Sequence, residues 1–118
     1  MTKVAIVVLA DVESHADLGR VVNALIATKE FKDGGDDVRL IFDGAGTQWP
    51  GVLSDPGHRA HKAYQAVSDM VTGACSYCAH AFHAEDKVQD ADVELLDEYE
   101  GHPSIKRLVD VGYQVITF

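Results

Sequence analysis

Lys3-Val4-Ala5-Ile6-Val7-Val8-Leu9 decides how the whole chain is read. The run is β-branched and almost continuously apolar, which suits a central strand covered on both faces. It is too short for a secretory leader, acidic Asp11 and Glu13 follow at once, and no small-residue cleavage pattern comes after. A buried first strand is the better reading. A second run of the same kind, Val38-Arg39-Leu40-Ile41-Phe42, follows a helical stripe. Leu18, Val21, Val22, Leu25 and Ile26 fall at i, i+3, i+4, i+7 and i+8. Ser14 with Asp17 starts that helix and Gly34-Gly35 ends it. Strand, helix, strand is a βαβ unit, whose crossover is right-handed.

The rest of the chain continues the alternation. Ala60, Ala63, Tyr64, Val67 and Met70 or Val71 keep helical spacing. Met70-Val71-Thr72 either closes that helix or opens a third strand running to Cys75, and periodicity over so few residues leaves both open. A helix is expected from Cys78 to about Val88, and a short strand at Val93–Leu96. Pro103, Ile105, Leu108 and Val109, then Gly112, mark a last helix. Tyr113–Phe118 is a terminal strand. The expected fold is α/β: one domain, residues 1–118, a three-layer α/β/α sandwich with a mostly parallel sheet of about five strands.

Composition narrows the function classes. The chain has 118 residues, 47% hydrophobic and 25% charged, and a formal net charge of −9. Phosphate binding depends on Lys and Arg, so this balance argues against nucleic acid as a partner and disfavours anionic membrane surfaces. No run approaches the ~18 apolar residues of a membrane span. The cytoplasm is the default location. Two cysteines in a cytosolic chain point to metal or redox chemistry before structural disulfides.

Those cysteines lie in Gly73-Ala74-Cys75-Ser76-Tyr77-Cys78-Ala79-His80-Ala81-Phe82-His83, spaced C-x-x-C where an apolar run gives way to a helical pattern. A thiol at a helix start meets unpaired N–H groups and the positive end of the dipole, both of which favour the nucleophilic thiolate. Sites in parallel sheets lie beyond the carboxyl ends of the strands. Three segments are expected to converge there: Asp11–Glu13, Asp43–Trp49 and Cys75–Cys78. Asp11, Asp43, Thr47, Trp49 and Tyr77 would line the mouth. Asp43-Gly44-Ala45-Gly46 follows a strand but contains neither G-x-G-x-x-G nor G-x-x-x-x-G-K-[ST], so it reads as a tight turn and no cofactor is expected.

Three chemistries fit the cysteine pair. Disulfide exchange ranks lower, because thioredoxin-like proteins carry their pair at the first strand–helix junction. Zinc is the metal alternative, through Cys75, Cys78, His80 and His83 with His58 and His61 nearby. Structural zinc, however, prefers two well-separated pairs, and these four residues lie within nine positions. Sulfur transfer needs one nucleophilic thiolate, with a second thiol able to resolve its persulfide.

Ala74-Cys75-Ser76-Tyr77-Cys78-Ala79, entering a helix, resembles the signature region of the DsrE/DsrF-like family. A weaker likeness extends over the whole length, including Asp43-Gly44-Ala45-Gly46 and Gly101-His102-Pro103-Ser104-Ile105. The resemblance implies homo-oligomers, often trimers or hexamers, and persulfide carriage between a sulfur donor and an acceptor protein. Cys75 matches the carrier cysteine and Cys78 comes second. The chain differs from the sulfur-relay subunits in lacking their single-cysteine, Arg-Gly-bearing helix, with His80, Phe82 and His83 there instead. The expected function is a small sulfur carrier or thiol-redox protein, with Cys75 as nucleophile and Cys78 as resolving thiol. The alternative is a non-catalytic oligomeric module of the same fold that binds a ligand, a protein or a metal.

Overall fold

The computed structural model describes all 118 residues. Five parallel strands form one sheet: β1 (Lys3–Val8), β2 (Asp37–Phe42), β3 (Val71–Cys75), β4 (Leu95–Leu96) and β5 (Gln114–Thr117). Their spatial order is β4-β3-β2-β1-β5. Six helices connect them: α1 (His15–Asp33), α2 (Trp49–Leu53), α3 (His61–Gln65), α4 (Ser76–Ala81), α5 (Glu85–Asp90) and α6 (Ile105–Asp110). None is long and apolar enough to cross a membrane.

Strand order dictates the layers. The chain steps from β1 to β4 in one direction, so right-handed crossovers put α1 to α5 on one face. The return from β4 to β5 runs the other way and puts α6 on the opposite face. Side chains of β1 alternate accordingly. Val4, Ile6 and Val8 pack with Val21, Leu25, Leu53, Val67, Ala79 and Val88. Ala5 and Val7 pack with Ile41, Leu96, Leu108 and Tyr113. A fully buried side chain such as Ile6 or Leu25 contributes about 1.5–3 kcal/mol.

Several local expectations are corrected. Val71–Cys75 is a strand, which settles the ambiguous segment, and the helix before it is only α3 with a 3-10 turn at Ser68–Met70. The single helix expected over Cys78–Val88 is two, broken where His83 takes a left-handed φ of 55°. In α1 the buried stripe is Val21, Ala24, Leu25 and Thr28, and Ile26 faces solvent. The start of α1 is as expected: the Ser14 hydroxyl accepts the Asp17 N–H at 3.1 Å.

After β2 the chain enters a 3-10 turn, Gly44–Gln48, that lies against the end of β1. A Cβ on Gly46 would sit 2.1 Å from the Val8 carbonyl oxygen, so only glycine permits this approach. Gly46→Ala is predicted to destabilise the fold by about 2–3 kcal/mol, the upper range of core overpacking. Gly19→Ala, on the exposed side of α1 with nothing near its Cβ, should stabilise it by about 0.5–1 kcal/mol. Paired thermal melts check both signs.

Candidate functional site

The parallel register ends β2 and β3 side by side, with Phe42 opposite Ala74. The next residues, Asp43 and Cys75, therefore lie at the same carboxyl edge. Asp43 is extended, and its carboxylate accepts the Gly44 N–H at 2.8 Å, which fixes the side chain. Cys75 is the last residue of β3 and also the N-cap of α4. Its Sγ accepts the Cys78 N–H at 3.4 Å, so the sulfur stands in for the usual capping oxygen.

The fourth strand supplies the residue that completes the group. Beyond β4, Tyr99 and His102 exchange both backbone hydrogen bonds across a two-residue turn. Its centre residues Glu100 and Gly101 have φ of 49° and 85°, the signature of a type I′ turn. The Gly101 carbonyl accepts the Tyr77 N–H at 2.9 Å, which fastens this hairpin to the first turn of α4. The Tyr77 ring lies over the His102 imidazole, with centroids 4.8 Å apart.

His102 Nδ1 thereby sits 3.1 Å from Cys75 Sγ and 4.0 Å from Cys78 Sγ. With an Asp43 carboxylate oxygen, the four donor atoms lie within 4.8 Å of one another. Both thiols are free. Cys78 and His102 are half-buried, while Cys75 has no accessible surface. Burial pushes the Cys75 thiol up from an ordinary 9.0 to about 12, and the nearby Asp43 carboxylate adds to the rise. The Cys78 N–H bond works in the opposite direction and is outweighed. The Cys75 S–H donates to the Gly101 carbonyl at 3.8 Å, with His102 Nδ1 beside the sulfur. A low-pKa thiolate was expected at Cys75; desolvation wins over the start of a helix only six residues long.

The other expected residues divide. Tyr77 and Asp43 belong to the site. Asp11 is tied up locally, accepting from the Val12 N–H and the Gln48 amide. Thr47 is buried and donates to the Gly44 carbonyl. Trp49 is buried and its indole N–H donates to the Ala10 carbonyl at 2.9 Å, so it braces the turn beneath the site. His80 and His83 do not join the cysteines: exposed His80 pairs with Glu85 at 2.6 Å, and His83 lines a separate groove with Phe82, His58 and Lys87. The bend after α4 carries His83 away, while His80 faces solvent from within α4. His58 accepts the Ala60 N–H and His61 meets the Leu53 carbonyl. Reading from sequence passed over His102 as a site residue, although the carboxyl-edge rule applied to β4 points at its loop.

A relative of known sequence is Uncharacterized protein MJ0733 of Methanocaldococcus jannaschii. The two are 27% identical over 96 residues, covering 81% of this chain and 78% of that one. No family model and no solved structure matches the chain.

The raised Cys75 pKa has a consequence for stability. The unfolded thiol loses its proton above about pH 9, whereas the folded one keeps it to about pH 12. The stabilisation is whole below pH 9 and declines as pH climbs toward 12. Tyr64 and Tyr113, also raised from 10.0 by burial, act in the same direction at higher pH. Denaturant titrations between pH 9 and 10 should therefore show a steeper loss of stability in the native chain than in Cys75→Ala. Parallel curves would contradict this.

Proposed function

We propose that the protein is a thiol-based sulfur carrier working through Cys75, Cys78 and His102. The observation that carries this reading is the placement of two free thiols against one imidazole at the carboxyl edge of the sheet. The burial difference favours Cys78 as the loaded residue and Cys75 as the resolving thiol, the reverse of the order that the DsrE/DsrF-like resemblance suggests.

The chemistry balances without an external oxidant. The Cys78 thiol gives up its proton, for which His102 Nδ1 is the nearby acceptor. The thiolate attacks the outer sulfur of a donor persulfide. A new S–S bond forms at Cys78, the donor's S–S bond breaks, and the donor leaves as a thiolate. An acceptor thiolate repeats the step in reverse. Alternatively Cys75 passes its proton to His102 Nδ1 and its sulfur attacks Cys78 Sγ, closing a disulfide and releasing the outer sulfur as hydrosulfide; the two cysteine sulfurs are oxidised and the sulfane sulfur is reduced. A donor and an acceptor protein, and a trimeric or hexameric assembly, are part of this proposal.

The burial of Cys75 also favours a second reading, in which the pair packs or binds and no sulfur moves. Intact mass before and after a sulfane-sulfur donor separates the two. The carrier gains sulfur on Cys78, reversibly with thiol; Cys78→Ser abolishes the gain and Cys75→Ser retains it. Where Cys75 resolves the persulfide the native chain instead loses two hydrogens, so absence of any gain in Cys75→Ser, where no resolving thiol remains, sinks the carrier reading.

A further inference from the structure

We propose that Asp43, Cys75, Cys78 and His102 form a four-ligand site for a thiophilic divalent cation, with zinc the best fit. Where sulfur carriage holds, metal occupancy withholds both thiols from it; this regulatory consequence rests on that reading, while the metal site rests on geometry alone.

The donor set comes first. Two sulfurs, one imidazole nitrogen and one carboxylate oxygen suit zinc and its neighbours, not magnesium or calcium, which take oxygen ligands. The count is the four that a tetrahedral structural site needs. The arrangement also supplies what a Cys75–His83 cluster cannot: a local C-x-x-C pair joined by two ligands from distant elements, one after β2 and one beyond β4.

The two sulfur–nitrogen distances agree with this, and donor separations of up to 4.8 Å within the group close on binding. Zinc bonds of ~2.3 Å to sulfur and ~2.0–2.1 Å to nitrogen, at a tetrahedral angle, separate sulfur from nitrogen by about 3.6 Å. His102 Nδ1 stands 3.1 Å from one sulfur and 4.0 Å from the other, so shifts of a few tenths of an ångström equalise the two edges. The ligands are also held from outside. Gly44 N–H orients the Asp43 carboxylate, Tyr77 stacks on the imidazole, and the Gly101 carbonyl pins the hairpin to α4. Such supporting contacts orient metal ligands.

Charge completes the argument. Two thiolates and a carboxylate carry −3 in a half-buried pocket, and a divalent cation leaves −1. Binding forms two metal–sulfur bonds and releases the two thiol protons to solvent, with no change of oxidation state. A disulfide between Cys75 and Cys78 removes both sulfur ligands, so the site exists only in the dithiol form.

The test uses the reduced full-length protein with cobalt(II) as a spectroscopic probe and zinc(II) in competition with a coloured chelator. One cobalt per chain is expected, with the intense visible bands of tetrahedral geometry and sulfur-to-cobalt charge transfer, both removed by zinc. Asp43→Asn and His102→Ala should each weaken zinc binding at least about ten-fold. His80→Ala and His83→Ala should bind as the native chain does, and a prior disulfide should abolish binding. Matched circular dichroism and melting curves separate ligand loss from misfolding. Absence of binding, cobalt spectra without sulfur charge transfer, or undiminished affinity in both Asp43→Asn and His102→Ala would overturn the site. Sulfur loading of the metal-free protein, measured alongside, keeps the two ideas distinguishable. Loading without metal binding refutes this site alone, and metal binding without loading refutes the carrier alone.

Discussion

The site depends on the parallel pairing of β2 with β3. Only when Phe42 lies opposite Ala74 do the next residues, Asp43 and Cys75, leave the sheet together at one edge. A one-residue slip would turn Cys75 to the other face. The register is protected by what each strand buries. Leu40 and Phe42 face the α1–α5 layer and Ile41 faces α6, and a register shift between Leu40 and Ile41 brings Ile41 opposite Gly73 and Phe42 opposite Ala74. Gly73 contributes at the next pairing outward: a Cβ there would meet the Glu94 carbonyl oxygen at 2.6 Å. That close approach lets β4 lie beside β3 and aims the following hairpin back across the edge.

The hairpin turns a pair of cysteines into a chemical unit. Alone, Cys75 is a buried thiol used as a helix cap, and burial keeps it protonated. The turn at Glu100-Gly101 brings an imidazole to hydrogen-bonding distance of that thiol and within 4.0 Å of the second. Proton exchange, sulfur transfer and metal binding all need this proximity. The thiols then differ by burial: Cys75 is sealed against the core and Cys78 is half-buried. Two identical side chains thereby differ in solvent access through position alone.

Much of the fold was legible because its strands are continuous apolar runs and its first helix is long. Lys3–Val8, Asp37–Phe42 and the Ser14 cap needed only local chemistry to be read. The break at His83 was not legible, since a left-handed histidine leaves no compositional mark and Ala79, Phe82 and Val88 are compatible with one helix. Asp43 and the cysteines could be placed by strand order. Thr47 and Trp49 pointed to the right turn but serve to brace it, because hydrogen bonds to Gly44 and Ala10 occupy them inside the core. His102 lies 27 residues from Cys75, and a contact so distant in sequence becomes visible only through the topology. The two histidines nearest the cysteines drew attention instead, but His80 faces solvent beside Glu85 and His83 lies in the bend after α4.

The central claim is that Cys75, Cys78 and His102 act together, with Cys78 as the accessible sulfur. The most direct test is the rate at which each cysteine is alkylated by a small reagent at neutral pH, in the native chain and in His102→Ala. The account predicts that Cys78 reacts first, that Cys75 stays protected until the chain unfolds, and that loss of the imidazole slows Cys78 by about ten-fold or more. Equal reactivity of the two thiols, or a Cys78 rate unchanged in His102→Ala, would contradict it.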